Sequence, residues 1–230
     1  MAYSNTGKYH EAIAEYRKAL KINPTLALVY NNIGSAYHAT GLVNQAISEY
    51  KKCLELMPNS YKTLNNLGIS LITINEYEAA LKVLKKAVSI KPTSHTVHNN
   101  LGVAYLGLKK YDDAIKEFNE EIRISPKDFR PHKHLGKIYY ESGKHNEAIM
   151  AIKKAVLINP DSGDTHGFLG LLYDLVGDGE NAVLSLSQAV YLFAKDKKFH
   201  AKDNANQVLA RVIKKYGFVK RDLPKIPQHE

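Results

Sequence analysis

The sequence predicts an all-α solenoid, a fold in which pairs of helices stack one after another along the chain. The first observation is a spacing of 34 residues between successive prolines, at Pro24, Pro58, Pro92, Pro126 and Pro160. The second is that small residues keep the same spacing, as a glycine series and an alanine series: Gly34, Gly68, Gly102, Gly136 and Gly170; Ala12, Ala46, Ala80, Ala114, Ala148 and Ala182. Such a period indicates a repeat array.

A further position with the same spacing is aromatic or leucine: Tyr3, Tyr37, Leu71, Tyr105, Tyr139 and Tyr173. With the small residues and the prolines, this pattern resembles the tetratricopeptide repeat (TPR) family up to about Ala194. The resemblance implies a right-handed α-solenoid of helix–turn–helix (TPR) repeats, with a small residue where helices cross and a proline after the second helix of each repeat. A C-terminal capping helix should complete it.

The period also divides the chain. We expect a partial repeat over residues 1–26, with its second helix from about Tyr9 to Ile22, and then full repeats over residues 27–60, 61–94, 95–128, 129–162 and 163–196. Within each full repeat, the turn between the helices is marked by Gly41, Asn75, Lys109, Gly143 or Gly177. Glycine readily adopts the left-handed backbone that ends a helix, so Asn75 and Lys109 are weaker indications of a turn.

The end of the chain departs from the period, because Ala194 stands where a proline is expected. We expect the last second helix to run long, or to enter the next helix through a tight turn. Residues 197–217 are predicted to form the capping helix, since its apolar side chains lie on one stripe: Val208, Leu209, Val212, Ile213 and Tyr216. Residues 218–230 are predicted to be a basic, proline-containing tail.

Composition excludes several classes of protein. The net charge of +9 is concentrated after Lys195, and the single cysteine excludes an internal disulfide framework. No apolar run approaches the about 20 residues of a membrane span. We therefore expect a soluble, cytoplasmic protein, with an upstream targeting or anchoring segment left open. The first residues match only the later part of a repeat, which indicates a fragment of a longer protein.

The concave groove of the repeats is the expected binding surface. In the resembled family, this groove is lined by positions 2, 5, 6, 9 and 13 of each repeat. Positions 5 and 6 of the first three full repeats are asparagine pairs: Asn31 and Asn32, Asn65 and Asn66, Asn99 and Asn100. An asparagine amide can both donate to and accept from the backbone of an extended peptide. At position 6, the ladder of Asn32, Asn66 and Asn100 is similar to the one that lines O-GlcNAc transferases. Hydrogen bonding to nearby backbone is the simpler alternative.

A cationic patch is expected beside the asparagines. Lys62 occupies position 2 of the second full repeat, and four basic residues fall on groove positions of the fourth: Arg130, Lys133, His134 and Lys137. The patch is similar in kind to the carboxylate clamp of some TPR domains. The clamp pattern is matched only in part, by Asn65 and Ile69, then Asn100, then Arg130 and His134. We predict an acidic peptide or C-terminus as ligand, with a solvated basic face as the alternative.

Two other kinds of site are disfavoured. The histidines His98, His132, His166 and His200 also recur every 34 residues, but stacked first helices would hold them about 10 Å apart, too far to share one zinc ion. They are expected to pack at an aromatic position, so no metal or cofactor is predicted. Basic pairs on the second helices lack accompanying aromatic residues, which disfavours nucleic acid as a partner: Arg17 and Lys18, Lys51 and Lys52, Lys85 and Lys86, Lys153 and Lys154.

The sequence therefore predicts a non-catalytic protein-protein interaction module that binds an extended peptide or protein segment in its groove. No nucleophile–base set or phosphate-binding loop is present. One alternative is a scaffold of a bacterial organelle or pilus-type complex, which self-associates through exposed repeat ends. Another is the TPR arm of a larger enzyme, such as an O-GlcNAc-type glycosyltransferase. A membrane partner is not directly indicated.

Overall fold

The computed structural model describes residues 2–218, with side chains from Lys8 onward. Within this range the chain is all-α, with twelve helices and no strand. The chain forms two compact units, Met1–Ile124 and Ser125–Glu230. Among the described helices, none combines the length and the apolarity that crossing a bilayer requires.

The first unit consists of α1 and three helix pairs. Its helices are α1 (Ala2–Ile22), α2 (Ala27–Ala39), α3 (Val43–Leu56), α4 (Tyr61–Thr73), α5 (Tyr77–Ile90), α6 (His95–Gly107) and α7 (Tyr111–Ile124). Each helix packs on the next along the chain, and α4 also contacts α2 and α6. The first helices of successive pairs are therefore neighbours, as the predicted stacking requires.

The second unit consists of two helix pairs and a final helix. Its helices are α8 (Arg130–Glu141), α9 (His145–Ile158), α10 (Gly163–Leu175), α11 (Gly179–Lys195) and α12 (Phe199–Tyr216). α9 packs on α8 and α10, and α11 packs on α10 and α12. The predicted cap is α12, whose Val212 is fully buried against α11 with Val208, Leu209, Ile213 and Tyr216 around it.

Glycine is required where paired helices cross. A Cβ atom added at Gly102 of α6 would lie 2.6 Å from Cε1 of Phe118 in α7, and one added at Gly68 of α4 would lie 2.6 Å from Cγ of Leu84 in α5. Phe118 and Leu84 are fully buried. The glycine series therefore marks the places where a large side chain of the second helix fills the space that a Cβ atom would occupy.

The predicted turns adopt left-handed backbone whether or not they hold glycine. Gly41 has φ of 80°, while Asn75 and Lys109 have φ of 62° and 57°. Asparagine tolerates this conformation better than lysine does, because its short side chain can hydrogen-bond locally. Lys197 has φ of 57° as well and forms the tight turn after α11.

Two helix limits differ from the expected ones. α1 begins at Ala2, not near Tyr9, because no proline before Tyr9 interrupts the helix. α8 begins at Arg130, one residue later than expected, since the Asp128 carboxylate accepts the Arg130 backbone N–H at 3.0 Å and Pro131 favours a first helical turn. α11 runs to Lys195 and a tight turn at Lys197 then leads to α12, so the two alternatives left open for the last repeat occur together.

The second helices of both units have a fully buried position that holds a small residue in most repeats, such as Ala87 in α5 and Ala155 in α9. Cys53, which stands where other repeats have Ala87 and Ala155, is fully buried. The predicted tail, apart from Phe218, lies outside the described residues. The division of the chain into repeat domains stays a prediction. The helix limits above show only where each helix pair begins and ends.

Candidate functional site

The second unit has a cavity on the side of α8 that carries the predicted cationic patch. The cavity has a volume of about 460 Å³ and is lined by all four predicted residues and three others: Arg130, Lys133, His134, Lys137, Tyr140, Glu141 and Phe168. One turn of an α-helix takes 3.6 residues, so residues of α8 at these spacings share one face. The structure therefore brings the predicted cations together.

Arg130 is held by a carboxylate from the turn before its helix. Its Nε atom donates to both carboxylate oxygens of Asp128 at 3.0 Å, and the Asp128 side chain is only 12% exposed. The same carboxylate accepts the backbone N–H of Arg130 at 3.0 Å. Asp128 thus both starts α8 and orients the guanidinium group.

The two lysines of the patch are constrained more weakly. The ammonium group of Lys133 lies 5.8 Å from the centre of the Phe129 ring, and Lys137 Nζ lies 3.8 Å from Glu141 Oε1. At an exposed site, a cation–π contact or an ion pair of this kind contributes little to stability. Each ammonium group can therefore exchange its contact for a ligand carboxylate at a small cost.

His134 is neutral at physiological pH. Burial, followed by the charges of Lys133, Lys137 and Arg130, lowers the pKa of His134 to about 4. Three cationic side chains and the Glu141 carboxylate then line the cavity, so its charge is positive at neutral pH. An anion bound there would oppose these cations and favour the protonated form of His134.

Two aromatic rings form an apolar wall beside the cations. The rings of Tyr140 and Phe168 meet edge to face, with their centres 5.8 Å apart at 87°. Neither residue was predicted for the site. Phe168 occupies position 6 of its repeat, the position of the second asparagine in the earlier repeats, so the period itself could have found it. The cavity can hold an anionic group next to an apolar or aromatic one.

In the first unit, the asparagines pair with one another between successive repeats. Asn66 Nδ2 donates to Asn31 Oδ1 at 3.1 Å, and Asn100 Nδ2 donates to Asn65 Oδ1 at 2.8 Å. Position 6 of one repeat thus bonds to position 5 of the repeat before it. Each bond uses one of an amide's two donor hydrogens, so the pairs keep further hydrogen-bonding capacity.

A cavity of about 450 Å³ adjoins this ladder. The predicted residues Asn31, Lys62, Asn65 and Asn66 line it, together with Tyr61, Lys91, Thr93, Ser94, His95 and Thr96. Tyr61 and His95 were not predicted for the site. They stand at position 1 of their repeats, where α4 and α6 begin.

The remaining predicted asparagines differ in their surroundings. Asn32 is exposed on α2. Asn99 Nδ2 donates to Glu121 Oε2 at 2.9 Å, and Glu121 is fully buried on α7. Glu121 occupies the small-residue position that holds Cys53 and Ala87 in other repeats, which is the signal that could have revealed it. The Asn99 amide therefore donates a hydrogen bond to a buried carboxylate in the packed interior.

Two of the four recurrent histidines make hydrogen bonds to the backbone of the preceding loop. His98 and His166 contact the carbonyl oxygens of Pro92 and Pro160 through Nε2, at 2.9 and 3.0 Å. Tyr30, at the same position of its repeat, donates to the Pro24 carbonyl oxygen at 3.2 Å. A polar ring at this position thus ties the first helix to the loop before it.

Comparison with known proteins gives matches along most of the chain. One family model described as TPR repeat matches residues 2–41, and three described as tetratricopeptide repeat match residues 25–93, 65–129 and 134–162. No curated protein sequence matches the chain.

Several solved structures are similar. The crystal structure of MamA has a TM-score of 0.63 and 29% identity, over 68% of this chain and 92% of that one. YrrB, described as a TPR protein with an unusual peptide-binding site, has a TM-score of 0.60 and 20% identity, over 82% of this chain and 97% of that one. The Cut9–Hcn1 hetero-tetramer of APC/C has a TM-score of 0.72 and 18% identity, over 92% of this chain and 40% of that one.

At 20% and 18% identity, the last two likenesses show the fold alone. The helix pairs, the glycine crossings and the four matches with family models agree with one another. The chain belongs to the tetratricopeptide repeat family and is an all-α protein-interaction module.

Proposed function

We propose that this module binds an extended, acidic peptide segment and that the cavity on α8 is its specificity site. The observation that carries the proposal is that all four predicted basic residues line one cavity with the Tyr140 and Phe168 rings. A peptide carboxylate would meet Arg130, and a neighbouring apolar side chain would rest against the two rings. The peptide-binding site of YrrB, a protein of the same fold, is consistent with this role.

Arg130 is the best-placed residue for carboxylate recognition. A guanidinium group presents several N–H donors in a plane, and such charge-assisted hydrogen bonds are about twice as strong as neutral ones. Asp128 fixes the orientation of that plane before a ligand arrives. Less conformational freedom is then lost on binding.

The asparagine pairs would supply backbone recognition in the first unit. An amide that keeps a donor and an acceptor can pair with a peptide group whatever its side chain is. We propose this role for Asn31, Asn65, Asn66 and Asn100, with Lys62 beside them. Asn32 is a further candidate because it is exposed.

The test is peptide binding with matched charge removal. We would screen acidic peptides by fluorescence anisotropy against the double variant Lys133→Gln, Lys137→Gln and against the control Lys82→Gln, Lys86→Gln on the exposed face of α5. Both variants lose two positive charges. We expect about tenfold weaker binding for the first and little change for the second. Equal weakening in both would show only a general charge effect and would exclude this site.

A second candidate function is self-association, which apolar side chains exposed in the first unit favour. Ile22 at the end of α1 is 87% exposed, and Leu28 in the first turn of α2 is 60% exposed. Large exposed apolar side chains that lie together can mark an interaction surface. Light scattering at rising concentration tests this, because a scaffold should grow in mass and the Ile22→Lys, Leu28→Lys variant should not. A constant monomer mass would exclude it.

A further inference from the structure

A second cavity of the second unit lies away from the proposed peptide site. It has a volume of about 610 Å³ and is bounded by residues of α9, α10 and α11. Leu157 of α9 and Leu184 of α11 line it and are 81% and 42% exposed. Tyr191 of α11 lines it as well. None of the residues lining the cavity on α8 takes part.

The apolar character of this cavity is specific to the last repeats. The counterparts of Leu157 in the preceding repeats are polar or charged: Lys21, Glu55, Ser89 and Arg123. Lysine is also the counterpart of Leu184 in two repeats, at Lys82 and Lys116. Stacking of the repeats thus does not require apolar residues here, since the same fold holds charged ones elsewhere. Leucines at these exposed positions need another explanation.

α11 differs from the other second helices along its whole outer face. It has no charged side chain between Glu180 and Lys195. At the positions where α1, α3, α5 and α9 carry basic pairs, α11 has Ser187 and Gln188, and Gln188 also lines the cavity. A low content of charge at the centre of a surface is typical of protein interfaces.

Charge returns at the rim of the cavity, where two lysines and the Asp161 carboxylate line it and leave a net positive charge. Lys153 lies on the α9 side, and Lys195 lies at the end of α11 with its Nζ atom 3.7 Å from Asp161 Oδ1. The cavity therefore has an apolar floor with lysines at its edge. A partner of complementary charge carries apolar side chains flanked by acidic ones.

We propose that this cavity, the outer groove, binds an acidic amphipathic helix of a partner protein. The α11 residues that line it run from Asn181 to Lys195, which is about 21 Å of helix at a rise of about 1.5 Å per residue. A helix of about 14 residues has this length and presents an apolar stripe at every third or fourth residue. Its acidic flank meets Lys153 and Lys195.

The groove can be tested without disturbing the fold, because its key side chains are exposed. Leu157→Arg and Leu184→Lys restore residues that sister repeats carry. Met150→Lys is the matched control: Met150 holds the same repeat position as Leu184, is 64% exposed and does not line the cavity. The probe is a display library of amphipathic helices of about 15 residues, with apolar residues on one face and acidic, basic or neutral residues on the other.

We expect selection on the unchanged protein to enrich acidic helices. Leu157→Arg and Leu184→Lys should each weaken their binding by about tenfold or more, equal to about 1.4 kcal/mol, while Met150→Lys should leave it unchanged. The inference is overturned if selection yields no helix with this response, or if basic helices are enriched instead. Lys133→Gln should not affect these helices, so this result is independent of the proposed peptide site.

Discussion

The position of glycine in α10 allows a sharp test of how the helices pack. Gly167 and Gly170 lie one turn apart in this helix, yet only Gly170 belongs to the glycine series. A Cβ atom added at Gly167 would have the Ala189 Cβ atom as its nearest neighbour, at an ordinary 3.8 Å. One added at Gly170 would lie 2.6 Å from Leu186 Cγ and 3.1 Å from the Ala182 carbonyl oxygen.

The two substitutions by alanine should therefore change stability in opposite directions. Gly167→Ala should stabilise by about 1 kcal/mol, because alanine is the better helix former in a helix interior. Gly170→Ala has the same gain but adds an overpacking cost of about 2–3 kcal/mol, the upper part of the usual range, since Leu186 is 2% exposed and the Ala182 backbone cannot move freely. The difference between the variants is that overpacking cost.

Thermal and urea unfolding followed by circular dichroism would measure both variants. For a chain of this size, about 1 kcal/mol corresponds to a shift of about 2–4 °C in Tm. We expect Tm to rise for Gly167→Ala and to fall for Gly170→Ala. If Gly170→Ala raised Tm as much as Gly167→Ala does, α10 and α11 could not cross at Gly170, and the reasoning would be refuted.

Further predictions concern one turn, one ion pair and one cavity residue. Lys109→Gly should raise the free energy of unfolding by up to about 1 kcal/mol in urea titration, because glycine adopts the left-handed backbone without strain. The hydrogen bond that His98 Nδ1 donates to the Glu117 carboxylate raises the pKa of His98. The stability that this pair contributes is therefore present below about pH 6.5 and is lost as pH rises through the folded-state pKa. Unfolding titrations from about pH 6 to 9 should show this decline, and His98→Phe should abolish it. Glu141→Gln should tighten acidic-peptide binding in anisotropy titrations up to about fivefold, because it removes the carboxylate that lines the cavity on α8; weaker binding would contradict the proposed polarity.

The sequence period predicted most of the fold and part of the candidate site. Helix pairs, crossing glycines and turns follow directly from a spacing that repeats along the chain. The four basic residues share a cavity because groove positions of one helix necessarily share a face. Lys109 was a weak turn signal, yet it adopts the same left-handed backbone that Gly41 has.

Individual side-chain contacts could not be predicted in the same way. The bond from Asn66 to Asn31 depends on the offset between neighbouring helices, which the spacing along the chain does not give. The contact of Asn99 with Glu121 depends on a single departure from the period, a buried carboxylate where other repeats have a small residue. The period does not single out outward positions such as Leu157, because most sister repeats carry polar residues there.

His134 provides the most direct measurement on the proposed peptide site, because it lies in the cavity among the three cations. NMR titration of its ring protons in the free protein should give a pKa near 4. On saturation with an acidic peptide, that pKa should rise, since a bound carboxylate favours the charged imidazole. The Phe168 ring signals should shift, while those of Tyr191 in the outer groove stay unchanged. A tightly bound acidic peptide that leaves both the His134 pKa and the Phe168 signals unaltered would place the binding site elsewhere.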